Sequence, residues 1–325
     1  MLKVGLIGCG FMGTMHASCY KIIDGVELVA VADVRPGYAE KCAEGTGATV
    51  YSDGMNLINN ADVDIIDICL PTFLHAKYAL AAMDKVKYLF VEKPITLTAE
   101  ESDELIAKAK ATGCQVQVGQ VVRFENEYAP LTRIVREGKY GKVISANLRR
   151  LSPSPDWGFE NWLHTVGRSG GCAMDMHIHD TDYALYLFGK PEKMFSVTNK
   201  LGEEKSYINT LMVYPETVVT LEGTWALPYE RPFEASYRVV FENATLEYVG
   251  DKITLYADGK ATDVEIKRIA MEGDAGGNVS DLGGYYNELV YFTDKAKAGE
   301  PIDEATLESA TESLKFLLGE IGGAY

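Results

Sequence analysis

The stretch from Leu2 to Gly13 reads LKVGLIGCGFMG, and it decides the fold expected for the first part of the chain. Its apolar first half, Leu2–Ile7, has the length and composition of a buried β-strand. Its second half, residues 8–13, has the spacing G-x-G-x-x-G, and a helical pattern follows. A strand, a glycine-rich turn and a helix in this order predict a loop that holds the pyrophosphate of a dinucleotide.

Each glycine of this motif has its own physical reason. Gly8 permits the tight turn, Gly10 lets the backbone approach the pyrophosphate, and Gly13 lets the helix pack closely on the strand. The helix directs its free N–H groups and the positive end of its dipole at the phosphates. We therefore expect its first residues, Phe11 and Met12, to contact the cofactor as well.

An acidic residue completes the predicted dinucleotide site. Asp33 ends the next strand, 20 residues past Gly13. A carboxylate there can accept hydrogen bonds from the adenosine ribose and repels a 2′-phosphate, so NAD is the expected cofactor. Arg35 can weaken that preference, so NADP remains the alternative, and Val34 is expected to contact the cofactor beside it. A glycine-rich turn without a ligand is the competing explanation.

The rest of the first 120 residues repeats the alternation of strand and helix. Short apolar runs predict strands at 2–7, 27–32, 64–69, 88–91 and 115–118, and helical patterns lie between them at 12–22, 36–44, 74–84 and 99–111. Thr98 followed by two acidic residues is a start signal for the last of these helices. The fold class expected for residues 1–120 is therefore α/β, a doubly wound parallel sheet of the Rossmann type.

The pattern changes after residue 120. Helical patterns at 128–137 and 174–187 are followed by β-rich runs between 195 and 266, and by helices at 283–298 and 303–321. Alternating polar residues in the β-rich runs predict an open, mostly antiparallel sheet with one exposed face. We expect residues 121–325 to form an α+β domain that binds substrate and covers this face in a homodimer or homotetramer. The last helix is a candidate to pack back on the first domain.

Composition excludes several classes of partner. The formal net charge of -16 repels phosphate backbones and anionic lipid, so we expect no nucleic-acid or membrane partner. The six cysteines form no C-x-x-C pair, which argues against a zinc knuckle and fits a reducing compartment. The chain starts on a strand, without a signal peptide, and no apolar run reaches membrane-spanning length, so the expected location is cytoplasmic.

The tripeptide Glu92-Lys93-Pro94 follows the fifth strand. Ligands bind at the carboxyl ends of parallel strands, so Glu92 and Lys93 are expected at the cofactor. Pro94 stiffens the turn, and a nearby oxidised nicotinamide would lower the pKa of Lys93. Lys93 could then hydrogen-bond a substrate hydroxyl and relay a proton. A surface lysine paired with Glu92 is an equally good explanation from position alone.

The densest polar cluster, DMHIHDTD, covers residues 175–182. Asp175, His179 and Asp182 are spaced i, i+4 and i+7, which places them on one helical face. An Asp beside a His can orient the ring and stabilise its charged form, as a general base requires. A structural histidine explains the spacing equally well. A metal held by Asp175, His177 and His179 is less favoured, because 177 and 179 lie on different faces, and no metal is expected.

These three motifs, in this order, resemble those of the Gfo/Idh/MocA family, named for glucose-fructose oxidoreductase, inositol dehydrogenase and rhizopine catabolism. The resemblance covers essentially the whole chain and includes His16 and residues 71–75 and 284–292. It implies a Rossmann domain, a C-terminal α/β domain that forms dimers or tetramers, NAD(H) or NADP(H), and hydride exchange at a secondary alcohol or hemiacetal carbon. It also implies that His179 is the acid/base, assisted by Lys93 and Asp175.

Further cofactor contacts are expected from the loop after the fourth strand and from a residue after the sixth, namely Leu70, Pro71, Thr72, His75 and Gln120. The chain departs from the family pattern at three places. Thr72 stands where the family usually has Asn, and residues 83–88 are longer than the usual turn. His177 stands where the family often has Gly, which predicts an additional polar group near the substrate.

The expected substrate is a small polyol, sugar or cyclitol. Besides Lys93, Asp175 and His179, its expected contacts are Arg123, Trp162 and Tyr286. Further candidates that could supply hydrogen bonds or flat apolar faces are Gln120, Trp157, Asn161 and Tyr285. Two other functions remain open from the sequence: a glycoside-cleaving enzyme that uses retained NAD as a transient oxidant, and a non-catalytic dinucleotide sensor.

Overall fold

The structure, a computed structural model, describes residues 1–200, 206–270 and 281–322. The chain divides into two compact units, Met1–Val121 with Ile269–Glu312, and Val122–Arg268 with Ser313–Tyr325. The sequence places everything after residue 120 in the second domain, whereas this division groups 269–312 with the first unit. Leu289 and Phe292 explain the grouping, because they are fully buried in the same apolar core as Val4 and Leu6.

The first unit contains a parallel sheet. Its strands are β1 (Leu2–Ile7), β2 (Val26–Ala32), β3 (Thr49–Tyr51), β4 (Ile65–Ile68), β5 (Tyr88–Val91) and β6 (Gln115–Val118). They lie in the order β3-β2-β1-β4-β5-β6, and every neighbouring pair is parallel. This is the predicted doubly wound sheet, in which the order of strands reverses beside β1 and creates a crevice at the carboxyl ends.

Helices connect these strands: α1 (Phe11–Tyr20), α2 (Pro36–Ala43), α3 (Gly54–Asn60), α4 (His75–Ala82) and α5 (Ala99–Thr112). The start predicted for α5 is confirmed, because Thr98 and Glu101 form a reciprocal capping box. The sequence did not predict β3 or α3, which have only three and seven residues.

The second unit is built on a mixed sheet. Its helices are α6 (Ala129–Glu137), α7 (Val166–Ser169) and α8 (Ile178–Phe188), and its strands are β7 (Val143–Pro153), β8 (Lys193–Lys200), β9 (Ser206–Val213), β10 (Val218–Leu227), β11 (Glu234–Phe241), β12 (Ala244–Val249), β13 (Lys252–Ala257) and β14 (Lys260–Val264). The order is β14-β13-β12-β11-β7-β10-β9-β8. Neighbours are antiparallel except β7 and β10, which confirms the expected mostly antiparallel sheet.

Strand β7 is the largest element that the sequence did not predict. It lies inside the sheet between β11 and β10. Its sequence includes Arg149 and Arg150, and two adjacent arginines obscure the apolar alternation of a half-buried strand. Arg150 is nevertheless buried, because its guanidinium lies 3.2 Å from each carboxylate oxygen of Asp180. A paired charge can be buried where an unpaired one cannot.

Two helices complete the chain, α9 (Gly283–Ala298) and α10 (Leu307–Glu320). Helix α10 begins four residues later than the sequence predicts. All six cysteines are free and buried, as expected of thiols that serve as small apolar groups. Within the described ranges, every helix is too short or too polar to span a lipid bilayer.

Candidate active site

The glycine-rich loop between β1 and α1 leaves room for a ligand at one glycine and excludes side chains at the other two. A Cβ at Gly8, where φ is +94°, would lie 2.4 Å from the carbonyl oxygen of Cys69, and a Cβ at Gly13 would lie 1.8 Å from that of Gly8. A Cβ at Gly10 would meet nothing closer than Nη2 of Arg35 at 3.7 Å. The open position is the one at which a pyrophosphate would approach the backbone.

Asp33 is tied to this loop and to a neighbouring cation. Its carboxylate accepts hydrogen bonds from the main-chain N–H of Cys9 at 2.9 Å and from Nε and Nη2 of Arg35 at 2.9 Å. Burial alone would raise the pKa of Asp33, but these bonds outweigh it, and the pKa lies below its usual value. The guanidinium of Arg35 also stacks on the Tyr38 ring at 3.7 Å. Val34 beside them is exposed.

His75, expected to contact the cofactor, is instead buried between two loops of the first unit. Its Nδ1 lies 2.9 Å from the carbonyl oxygen of Pro94, and its Nε2 lies 2.7 Å from that of Leu70. Both ring nitrogens therefore face main-chain carbonyls, and burial lowers the pKa of the ring. Leu70 and Pro71 are half-buried. Thr72 is buried.

The turn that carries Lys93 is enclosed on both sides. Glu92 and Pro94 are buried, whereas Lys93 is half-buried, and the Lys93–Pro94 peptide bond is cis. The Glu92 carboxylate accepts the main-chain N–H of Lys93 at 3.0 Å. Gln120, the predicted contact beyond β6, is buried as well.

A buried polar cluster adjoins this turn, and the sequence did not predict it. Nδ1 of His16 lies 2.8 Å from Oδ2 of Asp67, which also accepts the Tyr20 hydroxyl at 2.8 Å. Nε2 of His16 lies 3.1 Å from Oε1 of Glu92. A carboxylate oxygen of Glu288 lies within 4.8 Å of a ring nitrogen of His16 and of a carboxylate oxygen of Glu92. Asp67 is the available sequence signal, because it is a charged residue inside the otherwise apolar strand β4.

In the second unit, a π-helical turn over Ala173–His177 leads directly into α8. Gly170 and Gly171 before it both have positive φ, and a Cβ at Gly170 would lie 2.2 Å from Sδ of Met174. Between residues 169 and 184, all of which the structure describes, only Asp175 and His179 are partly exposed. Asp175 and His179 are therefore more accessible than the residues around them.

Asp182 is less accessible than Asp175 and His179. It is buried and forms a bidentate ion pair with Arg123, at 2.7 Å to Nε and 2.6 Å to Nη2. It also accepts the hydroxyl of Ser313 at 2.7 Å. Arg123, expected to contact the substrate, is thus largely buried by a pair that stabilises the second unit.

His177 also differs from expectation. It is fully buried, so the structure corrects the prediction of an additional polar group beside the substrate. Its ring packs over Gly223 of β10, where a Cβ would lie 2.8 Å from Nδ1. Its Nε2 lies 3.5 Å from Oε1 of Glu320, whose other oxygen accepts the Thr181 hydroxyl at 2.7 Å. The hydrophobicity of the residues around His177 did not indicate that its ring is buried.

The aromatic candidates have different environments. Trp162 packs against a small core that contains Leu163 and Trp225. Trp157 is 51% exposed, and Asn161 is exposed with φ of +54°. Tyr285 and Tyr286 of the first unit are partly buried and pack against its main core.

The Rossmann sheet and the open glycine loop are features of nucleotide-binding proteins. The sequence model of the oxidoreductase family with the NAD-binding Rossmann fold (GFO_IDH_MocA) matches residues 2–120. That of the GFO/IDH/MocA C-terminal domain matches residues 128–247. The chain therefore belongs to the GFO/IDH/MocA family of oxidoreductases, which confirms the resemblance seen in its motifs.

Its relatives include inositol dehydrogenases. Myo-inositol 2-dehydrogenase of Thermotoga maritima is 29% identical over 312 residues, covering 92% of this chain and 90% of that protein. Scyllo-inositol 2-dehydrogenase (NAD(+)) of Bacillus subtilis is 34% identical over 191 residues, 58% of this chain and 54% of that protein. The solved oxidoreductase from Agrobacterium radiobacter, in complex with NAD+, L-tartaric acid and magnesium, has the same fold. It is 14% identical, with a TM-score of 0.83 over 100% of this chain and 97% of that one.

Proposed function

We propose that this protein is an NAD-dependent dehydrogenase that transfers hydride between nicotinamide and a secondary alcohol of a cyclitol or sugar. The observation that carries the proposal is the exposure pattern of residues 169–184, where only an acid and a histidine, Asp175 and His179, are partly exposed. Burying every neighbour while leaving this pair accessible suits a general base and its orienting carboxylate.

The residues of the first unit fit the adenosine and pyrophosphate parts of NAD. The open face of Gly10 and the N-terminus of α1 would hold the pyrophosphate, and Asp33 would accept the ribose hydroxyls. Further contacts would come from the neighbouring loops: Phe11, Met12, Val34, Leu70, Pro71, Thr72, Glu92 and Gln120. The bound cofactor supplies the hydride acceptor, and NADP is the alternative.

In this proposal, three side chains act on the reacting hydroxyl. His179 takes the proton, Asp175 orients the imidazole and stabilises its charged form, and Lys93 donates a hydrogen bond to the same oxygen. Removing the proton while hydride leaves converts the alcohol carbon to a carbonyl. The reverse reaction returns the proton from His179.

The substrate class rests on the relatives and on the chemistry of the candidates. The Thermotoga maritima and Bacillus subtilis relatives are inositol dehydrogenases, which makes a cyclitol the first choice and a sugar the second. Trp162 and Tyr286 would supply flat apolar faces. Arg123 would contribute only through the end of a guanidinium that Asp182 already holds.

We also propose that the protein acts as a homodimer or homotetramer in the cytoplasm. The large sheet of the second unit has exposed apolar side chains on its edge strand β8, where Phe195 and Val197 are 60% and 68% exposed. Two such residues at positions i and i+2 lie on the same sheet face. A second copy of the chain would remove them from water.

The test is a screen of inositols, sugars and their keto forms with NAD(H) and NADP(H). We expect reduced cofactor to form with at least one cyclitol or sugar. His179→Ala should lower turnover at least about a hundredfold, because general-base catalysis is lost, while NAD affinity stays unchanged. Turnover unaffected by His179→Ala would contradict the acid/base assignment. Cleavage of a glycoside without net NADH would favour the transient-oxidant mechanism instead.

A further inference from the structure

Lys93 lies two residues beyond the end of β5, which ends at Val91. Its two neighbours, Glu92 and Pro94, are buried while Lys93 itself is half-buried. Lys93 is therefore more accessible than the two residues on either side of it. The direction of that side chain depends on whatever holds Glu92 and Pro94 in place.

The carboxylate of Glu92 holds the turn from one side. Its Oε2 accepts the main-chain N–H of Lys93 at 3.0 Å, and its Oε1 lies 3.1 Å from Nε2 of His16 on α1. The carboxylate is also packed against Gly119 after β6, where an added Cβ would lie 3.0 Å from Oε1. One buried carboxylate thus connects a side chain of α1 with the backbone of the lysine.

His16 is itself fixed at its other nitrogen. Nδ1 lies 2.8 Å from Asp67, and Tyr20 donates its hydroxyl to the same carboxylate oxygen at 2.8 Å. Burial opposes a charge on the ring, but Cys69 and Asp67 outweigh it, so the pKa of His16 lies well above its usual value. A charged imidazole is attracted to both carboxylates, Asp67 beside Nδ1 and Glu92 at 3.1 Å from Nε2.

A second histidine holds the other side of the turn. The ring of His75, at the start of α4, lies 2.9 Å from the carbonyl oxygen of Pro94 and 2.7 Å from that of Leu70. It thereby links the loop after β4 to the turn after β5. The Glu92 and His75 contacts therefore act on different residues of the same turn.

We propose that His16 is a positioning residue for Lys93, acting through the Glu92 carboxylate that holds the lysine main chain. This inference rests on the proposed function, since it assumes that Lys93 contacts the reacting hydroxyl. Without His16, the chain would still have Lys93, but the turn that carries it could shift. Small displacements of a catalytic group lower turnover more than they lower cofactor binding.

The test is a double-mutant cycle with His16→Gln, Glu92→Gln and the combined variant. We measure kcat at saturating polyol and NAD, and the Kd of NAD by fluorescence titration. We expect each single variant to lower kcat about tenfold, and His16→Gln to change the Kd by less than about twofold. The combined variant should be no slower than the slower single variant, because both changes break the same connection.

Two outcomes would overturn the inference. Multiplying effects, about a hundredfold in the combined variant, would show that His16 does not act through Glu92. Unchanged kcat in His16→Gln, with only a lower Tm, would make the residue merely structural. If His16→Gln does not fold, Tyr20→Phe replaces it in the cycle, with a smaller expected loss of kcat and the same required non-additivity.

Controls separate this inference from the proposed function. Leu105→Ala removes a fully buried side chain of α5 and should lower Tm without changing kcat. Lys93→Ala should abolish most turnover. If Lys93→Ala keeps full activity, the proposed function fails together with the inference. If Lys93→Ala is inactive but His16→Gln keeps the wild-type kcat, the inference alone fails.

Discussion

At the scale of single residues, Asp33 combines two tasks that the sequence could only suggest. It anchors the glycine loop through Cys9 and engages Arg35 with both of its carboxylate oxygens. Arg35, the cation that could bind a 2′-phosphate, is therefore already paired with Asp33, the acid that would repel that phosphate. Cofactor preference should depend on this ion pair and not on Asp33 alone.

Removing the carboxylate tests this dependence. In Asp33→Ala, Arg35 loses its partner, and a 2′-phosphate no longer meets a negative charge. We expect the ratio of kcat/KM for NADP to that for NAD to rise at least about tenfold, since one charge-assisted contact is gained and one repulsion is lost. The combined variant Asp33→Ala/Arg35→Ala should lose most of that gain. An unchanged ratio in Asp33→Ala would contradict the account of the ribose site.

Residue-level predictions succeeded where the determinants are local. The roles of Gly8 and Gly13 follow from a motif of six residues, and the structure shows the close contacts that require them. The partners of His16 could not be predicted, because Asp67 lies on β4 and Glu92 in the turn after β5, both distant from His16 in sequence. The sequence grouped Asp182 with Asp175 and His179, because helical spacing alone does not show that Arg123 pairs with it.

At the scale of elements, the π-helical turn over Ala173–His177 determines which side chains are accessible. Such turns are rare in proteins overall, but those that occur are frequently found at functional sites. Here the turn places His177 in the interior, over Gly223 and near Glu320, while Asp175 and His179 stay partly exposed. We infer that packing between this turn and β10 fixes the candidate catalytic pair.

A methyl group at Gly223 tests that packing. In Gly223→Ala the new Cβ would lie 2.8 Å from Nδ1 of His177, so the ring and its turn must shift. We expect the free energy of unfolding to fall by about 1–3 kcal/mol, as in overpacked cores, and kcat to fall with it. Thermal unfolding and steady-state kinetics measure both effects.

Gly167→Ala is the matched control, because nothing lies within 4 Å of a Cβ at that helical position. It should leave stability and kcat nearly unchanged. Replacing His177 by Ala in the Gly223→Ala background should recover part of the lost stability, since the clash is removed. Equal behaviour of the two glycine variants would show that the ring of His177 is not packed as described.

At the scale of the whole molecule, the alternation of elements was sufficient to predict the class of each sheet. The parallel order of the first sheet follows from repeated strand–helix units, and the second sheet follows from its half-polar strands. The division of the chain was harder to predict. Residues 269–312 return to the first unit, because the apolar side of α9 completes its core, and periodicity does not reveal which core a helix joins.

Hydride transfer is the central claim, and an isotope measurement tests it most directly. A cyclitol or sugar that is a substrate in the screen is prepared with deuterium on the reacting CH–OH carbon and incubated with NAD+. The account predicts one deuterium at C4 of the nicotinamide in the NADH formed, one equivalent of ketone, and almost no label transfer by His179→Ala. Substrate consumed without deuterium in free NADH would contradict it.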